Sequence, residues 1–364
     1  MVIRYGLIGS GMMGQEHIRN IQLLEGTEIT AVADPDSAMR ELSSKTSKGS
    51  ARLYSDYHEM LRDDLCDVYL IVSPNDTHYQ ILLDAIPRNK PILCEKPLCT
   101  TVDQCRKVIN LAKGRTAPVW VAMEYRYMPP VQRLLEEVQK GTAGPPQMMS
   151  IREHRFPFLE KVGNWNRFNK RTGGTLTEKC CHFWDLMRLT LMSDPIRVFA
   201  SGAMDTNHLD ERYDGQVPDI IDNAYVIVDF ENGTRAMLDL CMFAEGSYWQ
   251  EHITVTGSKA RVEAYVPGPS RFRIDGNERP SQLRISDRKS KSETIEEVLV
   301  DESILKAGDH HGSSYYQHQK FLDMVRNGGK KPEVSLVDGL WSVLVGEAAE
   351  LSARTGQAIL IDQI

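Results

Sequence analysis

The sequence lacks the features of membrane-spanning and disulfide-stapled proteins. Its apolar runs are all shorter than the roughly 20 residues that cross a bilayer, and its N-terminus is typical of a strand and not of a signal peptide. The seven cysteines are odd in number and include no C-x-x-C pair. Reduced, buried thiols are therefore expected, in a soluble cytoplasmic protein with no membrane partner.

Neither sign of charge is in large excess. The 43 basic and 50 acidic residues give a formal net charge of −7, which offers no general attraction for nucleic acid. The sequence contains no internal repeat and no low-complexity tract. Its 364 residues are enough for two domains, each with its own core.

The first 34 residues carry a dinucleotide-binding fingerprint. An apolar run over 2–8 leads into a glycine-rich loop, a helical segment follows, and a second apolar run ends at Asp34. The loop consists of Gly9, Ser10, Gly11, Met12, Met13 and Gly14. Such glycines allow a tight turn, close approach of a pyrophosphate and close packing of helix on sheet, while the helix N-H groups bind the phosphates.

Asp34 indicates which dinucleotide binds. A carboxylate at the end of the second strand can accept hydrogen bonds from the ribose hydroxyls and would repel a 2′-phosphate, which predicts NAD rather than NADP. A chance glycine turn is the alternative for the loop. For Asp34 the alternative is a role at the start of the next helix.

The pattern of apolar residues predicts two domains. Strands and helices alternate up to about residue 122, which is typical of a doubly wound parallel sheet. After Pro129 and Pro130, helices near 131–140 and 174–192 are followed by period-two strands with hairpin turns at 231–234 and 257–258. We predict an α/β Rossmann domain over 1–124 and an α+β domain with an open antiparallel sheet over 125–364. Residues 267–292 are expected to form a polar excursion, and 336–354 a final helix.

Polar residues follow several of the predicted strands. Ligands of open α/β sheets bind beyond the carboxyl ends of the strands, so these residues should meet at one edge. They are Gly9, Asp34, Ser73, Pro74, Asn75, His78, Glu95 and Lys96. Beside a nicotinamide, the pKa of Lys96 would be lowered by partial desolvation and by the positive ring of the oxidised cofactor, so that it could help move a hydroxyl proton. The alternative is a surface lysine paired with Glu95.

A second cluster falls within the predicted helix over 174–192. Glu178, His182 and Asp185 are spaced i, i+4 and i+7 and would share one face, with Lys179 about 100° away. A histidine between two carboxylates would be held in one tautomer and made more basic, as a general base requires. A solvated helix face is the alternative. Glu178 and His182 could also ligate a metal with the His310-His311 pair, but nothing fixes that geometry, and we predict none.

Basic residues are concentrated between positions 152 and 171. They are Arg152, His154, Arg155, Lys161, Arg167, Lys170 and Arg171. Such a cluster could recognise a carboxylate, sulfonate or phosphate on a substrate. An exposed basic loop or a subunit contact is the alternative.

With these residues assembled, the chain resembles the Gfo/Idh/MocA family, the relatives of glucose-fructose oxidoreductase and inositol dehydrogenase, over essentially its full length. The matching elements are the glycine loop, the turn over 73–78, Glu95-Lys96-Pro97, Tyr125-Arg126-Tyr127, Trp165 and the segment from Gly173 to Asp185. The resemblance implies NAD as cofactor and Lys96, His182 and Glu178 as catalytic residues. Together with the basic segment it gives these candidate substrate ligands: Tyr125, Arg126, Arg152, His154, Arg155, Trp165, Lys179 and Asp185.

The resemblance also implies a reaction. Most relatives oxidise a secondary hydroxyl of a sugar, sugar derivative or cyclitol, and the open sheet usually forms a homodimer or homotetramer. A minority hydrolyse glycosides by transient oxidation, elimination, hydration and reduction, and the basic segment would suit an acidic sugar such as a sulfoquinovoside. A non-catalytic NAD-binding sensor is disfavoured because Lys96 and His182 are both present. The family acid is usually aspartate followed two positions later by a small residue, whereas this chain has Glu178 and Cys180, and Lys179 is also unusual.

Overall fold

Two β-sheets organise the chain. The computed structural model describes residues 2–272, 276–277 and 279–364. Within them, the first third of the chain forms a six-stranded sheet and most of the remainder a nine-stranded sheet.

Strands and helices alternate in the N-terminal domain. The elements are β1 (Ile3–Ile8), α1 (Met12–Gln22), β2 (Thr27–Ala33), α2 (Ser37–Thr46), β3 (Arg52–Tyr54), α3 (Tyr57–Asp63), β4 (Val68–Ile71), α4 (His78–Ala85), β5 (Ile92–Cys94), α5 (Val102–Leu111) and β6 (Val119–Val121). The strands are all parallel, in the order β3-β2-β1-β4-β5-β6. Central β4 is buried throughout, as expected for a parallel sheet with helices on both faces. The predicted Rossmann sheet is confirmed.

The C-terminal domain is built on the nine-stranded sheet. Its elements are α6 (Pro129–Gln139), β7 (Pro146–His154), α7 (Asn169–Thr172), α8 (Thr175–Glu178), α9 (Cys181–Leu191), β8 (Pro195–Ala203), β9 (Asn223–Phe230), β10 (Arg235–Cys241), β11 (Trp249–Gly257), β12 (Ala260–Pro267), β13 (Ser281–Asp287), β14 (Glu293–Val298), α10 (Glu302–Leu305), α11 (Ser313–Arg326), α12 (Leu336–Thr355) and β15 (Ile359–Leu360). The order is β14-β13-β12-β11-β7-β10-β9-β8-β15. Among these described strands the pairing is antiparallel except for β7 with β10. The predicted α+β domain is confirmed, with a sheet that is mixed but mostly antiparallel.

Short 3-10 segments connect several elements. They lie at Asn75–Thr77, Ile86–Arg88, Glu124–Tyr127, Val162–Arg167, Ser270–Phe272 and Ile361–Gln363. The segment at Glu124–Tyr127 follows β6 and brings Tyr125 and Arg126 into the interior. It is therefore the crossing point from the first domain to the second.

The polar excursion expected over 267–292 is wrong in part. Within this range β13 forms, and with β14 it extends the sheet by two strands. In β14 only Val298 is buried, so a strand at the sheet edge needs few apolar residues and gives a weak sequence signal. Positions 273–275 and 278 of the expected excursion lie outside the described residues.

The single helix expected over 174–192 is also wrong. The chain forms α8 and α9, with Lys179 and Cys180 between them. The preceding glycines both have positive φ, 86° at Gly173 and 93° at Gly174. A Cβ on Gly174 would collide with the carboxyl group of Glu350 in α12, so this turn is fixed by packing against the last long helix.

The last helices connect the two domains. His318 of α11 contacts His17 of α1 through their ring nitrogens, 2.8 Å apart. Gly339 of α12 lies against Leu98 and Val121, where a Cβ would come within 3.0 Å of each. Close packing of this kind holds the C-terminal domain over the carboxyl edge of the Rossmann sheet. Within the described part of the chain, no helix combines the length and apolar character needed to cross a bilayer.

Candidate active site

A cavity of about 930 Å³ lies at the carboxyl ends of the Rossmann strands. Most of the predicted cofactor residues line it: Gly9, Ser10, Gly11, Met12, Met13, Asp34, Ser73, Pro74, Asn75, Glu95 and Lys96. The second domain closes the cavity with Lys161, Trp165, Arg171 and Glu178. The site therefore lies between the domains, as the strand ends indicate.

The glycine loop has the geometry that a dinucleotide requires. Gly9 has a φ of 93°, and a Cβ there would lie 2.6 Å from the backbone nitrogen of Ser73. A Cβ on Gly11 would meet no atom within 4 Å, so the backbone at that point is open to a ligand. Helix α1 begins after Gly11 with no side chain capping its N-H groups. These free donors at a helix N-terminus fit the pyrophosphate of NAD.

Asp34 is held in place by its neighbours. Its Oδ2 accepts hydrogen bonds from the backbone N-H and the hydroxyl of Ser10, at 2.7 and 3.0 Å, and its Oδ1 accepts one from the Asp36 N-H at 2.9 Å. The carboxylate lines the cavity. Three donors thus fix a negative charge where the sequence predicts the adenosine ribose.

Two of the predicted cofactor residues pack against the loops that form the cavity wall and do not line the cavity themselves. His78 lies between the carbonyl oxygens of Ser73 and Pro97, at 3.0 and 2.9 Å, and connects two of the loops that form the wall. Gly14 packs against the glycine turn, where a Cβ would lie 3.0 Å from the Gly9 oxygen. Neither is among the described residues that line the cavity, so both shape the site without facing it.

Lys96 lies where the two domains meet. Its Nζ donates to the backbone oxygen of Glu178 at 3.1 Å and lies 3.9 Å from the Glu178 Oε1. Burial opposes the charge on this ammonium, but the attraction of Glu178 and of other nearby acidic groups outweighs burial, so the pKa of Lys96 is raised. The sequence predicted a lowered pKa beside an oxidised nicotinamide, whereas in the protein alone the Glu178 carboxylate acts in the opposite direction.

Glu178 is a buried carboxylate between two lysines. The Nζ of Lys161 lies 3.7 Å from the same Oε1 that Lys96 approaches. Burial favours the neutral acid, but Lys96, Lys161 and Lys179 together lower the pKa of Glu178. Its Oε2 is buried with no hydrogen-bond partner among the described residues. An ionised oxygen without a partner at a cavity wall is a feature that a bound polar group would satisfy.

His182 is not flanked by carboxylates. Its ring stacks on Tyr125 with the centroids 4.1 Å apart and 7° between the planes, and its Nδ1 is buried without a hydrogen-bond partner among the described residues. Burial, together with the positive charges of Lys96 and Lys179, lowers the pKa of His182 well below its ordinary value. The predicted increase in basicity is therefore wrong. The neutral imidazole can still accept a proton through an unprotonated nitrogen.

Arg126 and Asp185 pair with each other. Two guanidinium nitrogens of Arg126 donate to the two carboxylate oxygens of Asp185, and a third interaction reaches the Glu333 carbonyl oxygen at 2.9 Å. Neither side chain is among those lining the cavity. The predicted contacts of these two residues with substrate are not supported, because their polar atoms join α9 to the segment after β6 and to the approach to α12.

A buried charge cluster lies behind His182. We use this name for Tyr125, Glu153, Arg155, Lys179 and Glu251. The Glu153 carboxylate is fully buried and its Oε1 lies 2.8 Å from the Lys179 Nζ and 3.4 Å from an Arg155 nitrogen. Glu251 is directly opposite Glu153 in the β7–β11 register, and burial with the nearby charge of Glu153 raises its pKa to about 7. Tyr125, Arg155 and Lys179 are thus placed together, and their contact with substrate stays a prediction.

The basic segment from 152 to 171 does not form one anion site. Because β7 alternates faces, Arg152 and His154 lie on the side of the sheet opposite buried Glu153, and His154 pairs with Asp239 at 3.0 Å. Their predicted contact with substrate is not supported. The ring of Trp165 lines the cavity with the Lys161 Nζ 4.5 Å from its centroid. The remaining cations have separate partners: Arg167 with Glu211, Lys170 with Gln216 and Arg171 with Asp76.

His310 belongs to a different cluster from the metal site with Glu178 and His182 that the sequence offered as an alternative. Its Nδ1 lies 2.9 Å from Glu16 and 3.7 Å from Glu124. Although burial opposes its charge, these two carboxylates raise the pKa of His310 to about 9. The ligand atoms of these three side chains all lie within 4.8 Å of one another, and in this structure they form an ion-pair cluster.

Several site residues were missed or misassigned from the sequence. The sequence indicates Lys161 only as a member of the basic segment, although its side chain faces Glu178 in the cavity. Glu153 and Glu251 were missed, and the period-two alternation of β7 would have placed Glu153 beside inward-facing Ile151. A charged residue at an inward position of a strand is the signal that could have found it.

The two halves of the chain match the two domain models of one family. The model described as "Oxidoreductase family, NAD-binding Rossmann fold" matches residues 3–123. The model described as "Oxidoreductase family, C-terminal alpha/beta domain" matches residues 136–361. Both carry the name GFO/IDH/MocA.

Individual relatives agree with this match. A myo-inositol 2-dehydrogenase from Thermotoga maritima is 25% identical over 366 residues, covering 100% of this chain and 99% of that protein. An inositol 2-dehydrogenase from Pseudomonas fluorescens is 29% identical over 368 residues, covering 99% and 97%. The structure of levoglucosan dehydrogenase in complex with NADH has the same fold, with a TM-score of 0.81, 18% identity and full coverage of both chains. Because the family models match well over half of its length, the chain belongs to the Gfo/Idh/MocA oxidoreductase family and its N-terminal domain is the NAD-binding Rossmann domain of that family.

Proposed function

We propose that this protein is an NAD-dependent dehydrogenase that oxidises a secondary hydroxyl of a sugar, sugar derivative or cyclitol, and that myo-inositol is the first substrate to test. The observation that carries the proposal is the position of Lys96. Its ammonium lies in the wall of the dinucleotide cavity, tied to Glu178, with a neutral histidine close by. The full-length match to enzymes named inositol dehydrogenases supports the substrate class.

The proposed chemistry follows from the charges of three residues. Oxidation of a secondary alcohol removes a proton from oxygen and a hydride from carbon. NAD, when bound, supplies the hydride acceptor. His182 takes the hydroxyl proton, which its neutral state allows, and the Lys96 ammonium donates a hydrogen bond to the hydroxyl oxygen as negative charge develops there. Glu178 fixes Lys96 and accepts a hydrogen bond from the substrate through its unpartnered Oε2.

The substrate side is proposed to include Tyr125, Arg155, Trp165, Lys179 and Lys161. All five come from the proposed second domain, and they lie in or near the Glu178–His182 segment. A mixture of cations and carboxylates suits a polyhydroxylated ring, because hydroxyl groups both donate and accept hydrogen bonds. Arg126, Arg152, His154 and Asp185 are not proposed again.

We also propose that the protein is a homodimer or homotetramer through the open face of the nine-stranded sheet. Outward-facing residues of β7 to β10 include Met148, Phe199, Tyr225, Ile227 and Met237, which are between 41 and 64% exposed. In the sheet, Ile227 of β9 is flanked by Phe199 of β8 on one side and by Met237 of β10 on the other. A continuous apolar patch of this kind is typical of a subunit interface. Ile227→Lys should shift the mass measured by light scattering toward the monomer.

The assay that tests the function follows two products at once. The purified protein is incubated with NAD and a panel of cyclitols, neutral and acidic sugars and their glycosides, while NADH absorbance and sugar release are recorded. We expect NADH to accumulate with a free cyclitol or sugar. Sugar release from a glycoside that requires NAD but accumulates no NADH would establish the hydrolytic reaction instead. Binding of NAD without either product would contradict an enzyme acting on these substrates.

A further inference from the structure

Lys179, proposed above only as a substrate ligand, is a buried cation that the proposed proton transfer does not use. It follows Glu178 directly, at the break between α8 and α9, and is 4% exposed. Its Nζ lies 2.5 Å from the Tyr125 hydroxyl and 2.8 Å from the Glu153 Oε1. It also lies 4.7 Å from the centre of the Tyr125 ring. A lysine is rarely buried without a specific partner, so these contacts define where its charge is held.

Through Tyr125, Lys179 is connected to His182. The hydroxyl of Tyr125 is fixed by Lys179, and the face of the same ring lies against the His182 imidazole. The face of an aromatic ring attracts cations and would by itself favour the protonated imidazole. The charge state of His182 is therefore decided by the remaining groups around it.

Charged groups on several elements lie around His182 and its stacked partner Tyr125. The cations are Lys96 after β5, Arg155 after β7, Lys179 between α8 and α9, and His310 before α11. The carboxylates around Tyr125 are Glu124 after β6, Glu153 in β7 and Glu251 in β11, and Glu178 of α8 lies four residues before His182 in the chain.

Each carboxylate in this surrounding is engaged elsewhere. Glu153 holds Lys179, and Glu178 lies between Lys96 and Lys161. Glu124 accepts a hydrogen bond from Ser314 and lies near His310, and Glu251 accepts one from Gln250. Among the described residues none of the four forms an ion pair with His182, whereas four cations surround it. Burial and these cations act in the same direction, toward the neutral imidazole.

We propose that Lys179, anchored between Tyr125 and Glu153, is a positioning residue that holds the His182 imidazole flat against Tyr125 and keeps it neutral, ready to take a proton. The proposal rests on the proposed function in one respect, since His182 is there the proton acceptor. It adds a second role for a residue that the proposed function uses only on the substrate side. It also explains why a charge is retained at a buried position where an apolar side chain would cost less to bury.

The expected sign follows from electrostatics. With the positive charge of Lys179 removed, protonation of His182 becomes easier and its pKa rises. In the free enzyme a larger fraction of His182 is then protonated at a given acidic pH and cannot act as base. The acid limb of the kcat/KM profile should therefore move to higher pH, by about one unit for the removal of one nearby charge at an intermediate dielectric.

The experiment uses four variants of the full chain. Lys179→Met removes the charge, Lys179→Arg keeps it, and the double variant Glu153→Gln with Lys179→Met avoids leaving a carboxylate unpaired if the single variant does not fold. Lys170→Met, an exposed lysine of the same domain that contacts Gln216, is the matched control. We expect the acid limb to shift upward in Lys179→Met and in the double variant, and to stay in place in Lys179→Arg and Lys170→Met.

A second readout separates this proposal from the proposed function. NMR titration of the His182 ring, assigned by its loss in His182→Gln, reports the imidazole pKa whether or not His182 is the base. An upward shift of that pKa in Lys179→Met supports the positioning role even if no substrate is turned over. An unchanged His182 titration would overturn it. An unchanged acid limb with a KM raised tenfold would also overturn it, and would leave Lys179 as a substrate ligand only.

Discussion

The two halves of the site are built in different ways. The cofactor half uses backbone groups and short side chains at successive strand ends, all within the first 96 residues. The substrate half brings together Lys96, Tyr125, Glu153 and the segment around His182 from four separate parts of the chain. A backbone site is specified by local sequence, whereas the charge state of an assembled site depends on which groups the fold brings together.

The strongest test of this difference is to remove the two proposed proton-handling groups. Lys96→Ala and His182→Ala should each lower kcat by about 10²- to 10⁴-fold, because each removes a group positioned for proton transfer or charge stabilisation. The affinity for NAD, measured by titration calorimetry, should change little, since the glycine loop and Asp34 are untouched. Full turnover in either variant would refute the role of that residue.

A comparably large effect, but on stability, is expected at Arg126. Arg126→Met leaves Asp185 buried without its partner, and breaking a buried ion pair from one side costs about 3–5 kcal/mol. Thermal or urea unfolding should show this loss, and Asp185→Leu in the same chain should restore part of it. Wild-type stability together with a raised KM would return Arg126 to the substrate ligands.

The sequence predicted the parts that depend on local pattern. The Rossmann sheet, both hairpins and the glycine loop follow from periodicity and from residues that act through the backbone. It placed Glu178, His182 and Asp185 on one helix face, which fails because the Gly173-Gly174 turn packs on Glu350 and the helix breaks at Lys179. Even with the correct helices, the partner of Asp185 lies 59 residues away in the chain. Side-chain pairing of that range has no signal in a single sequence.

A smaller effect is expected from the cofactor half, at Asp34. Asp34→Ala removes the charge that would repel a 2′-phosphate and the acceptor for ribose hydroxyls. The ratio of kcat/KM with NAD to that with NADP should fall by about 10- to 100-fold, the value of one or two charged hydrogen bonds. Asp34→Asn removes the charge but keeps the shape of the side chain. Comparing it with Asp34→Ala therefore separates the effect of the charge from the effect of packing. An unchanged ratio in both variants would count against the ribose assignment.

The smallest effect is expected where the two halves of the site meet, at the ion pair of Arg171 with Asp76. Two guanidinium nitrogens contact the carboxylate, at 2.8 and 3.3 Å, and the side chains are about one third exposed, at 35 and 30%. A partly exposed pair of this kind contributes about 0.2–1 kcal/mol, so Arg171→Met should speed NAD dissociation by no more than about fivefold. Stopped-flow displacement of NADH measures this rate. High salt should reduce the difference between variant and wild type. Salt screens the Arg171–Asp76 pair in the wild type, and the variant has no such pair to screen. A tenfold or larger effect that salt does not reduce would show that Arg171 contacts the cofactor itself, and the division between a locally encoded half and an assembled half would then not hold.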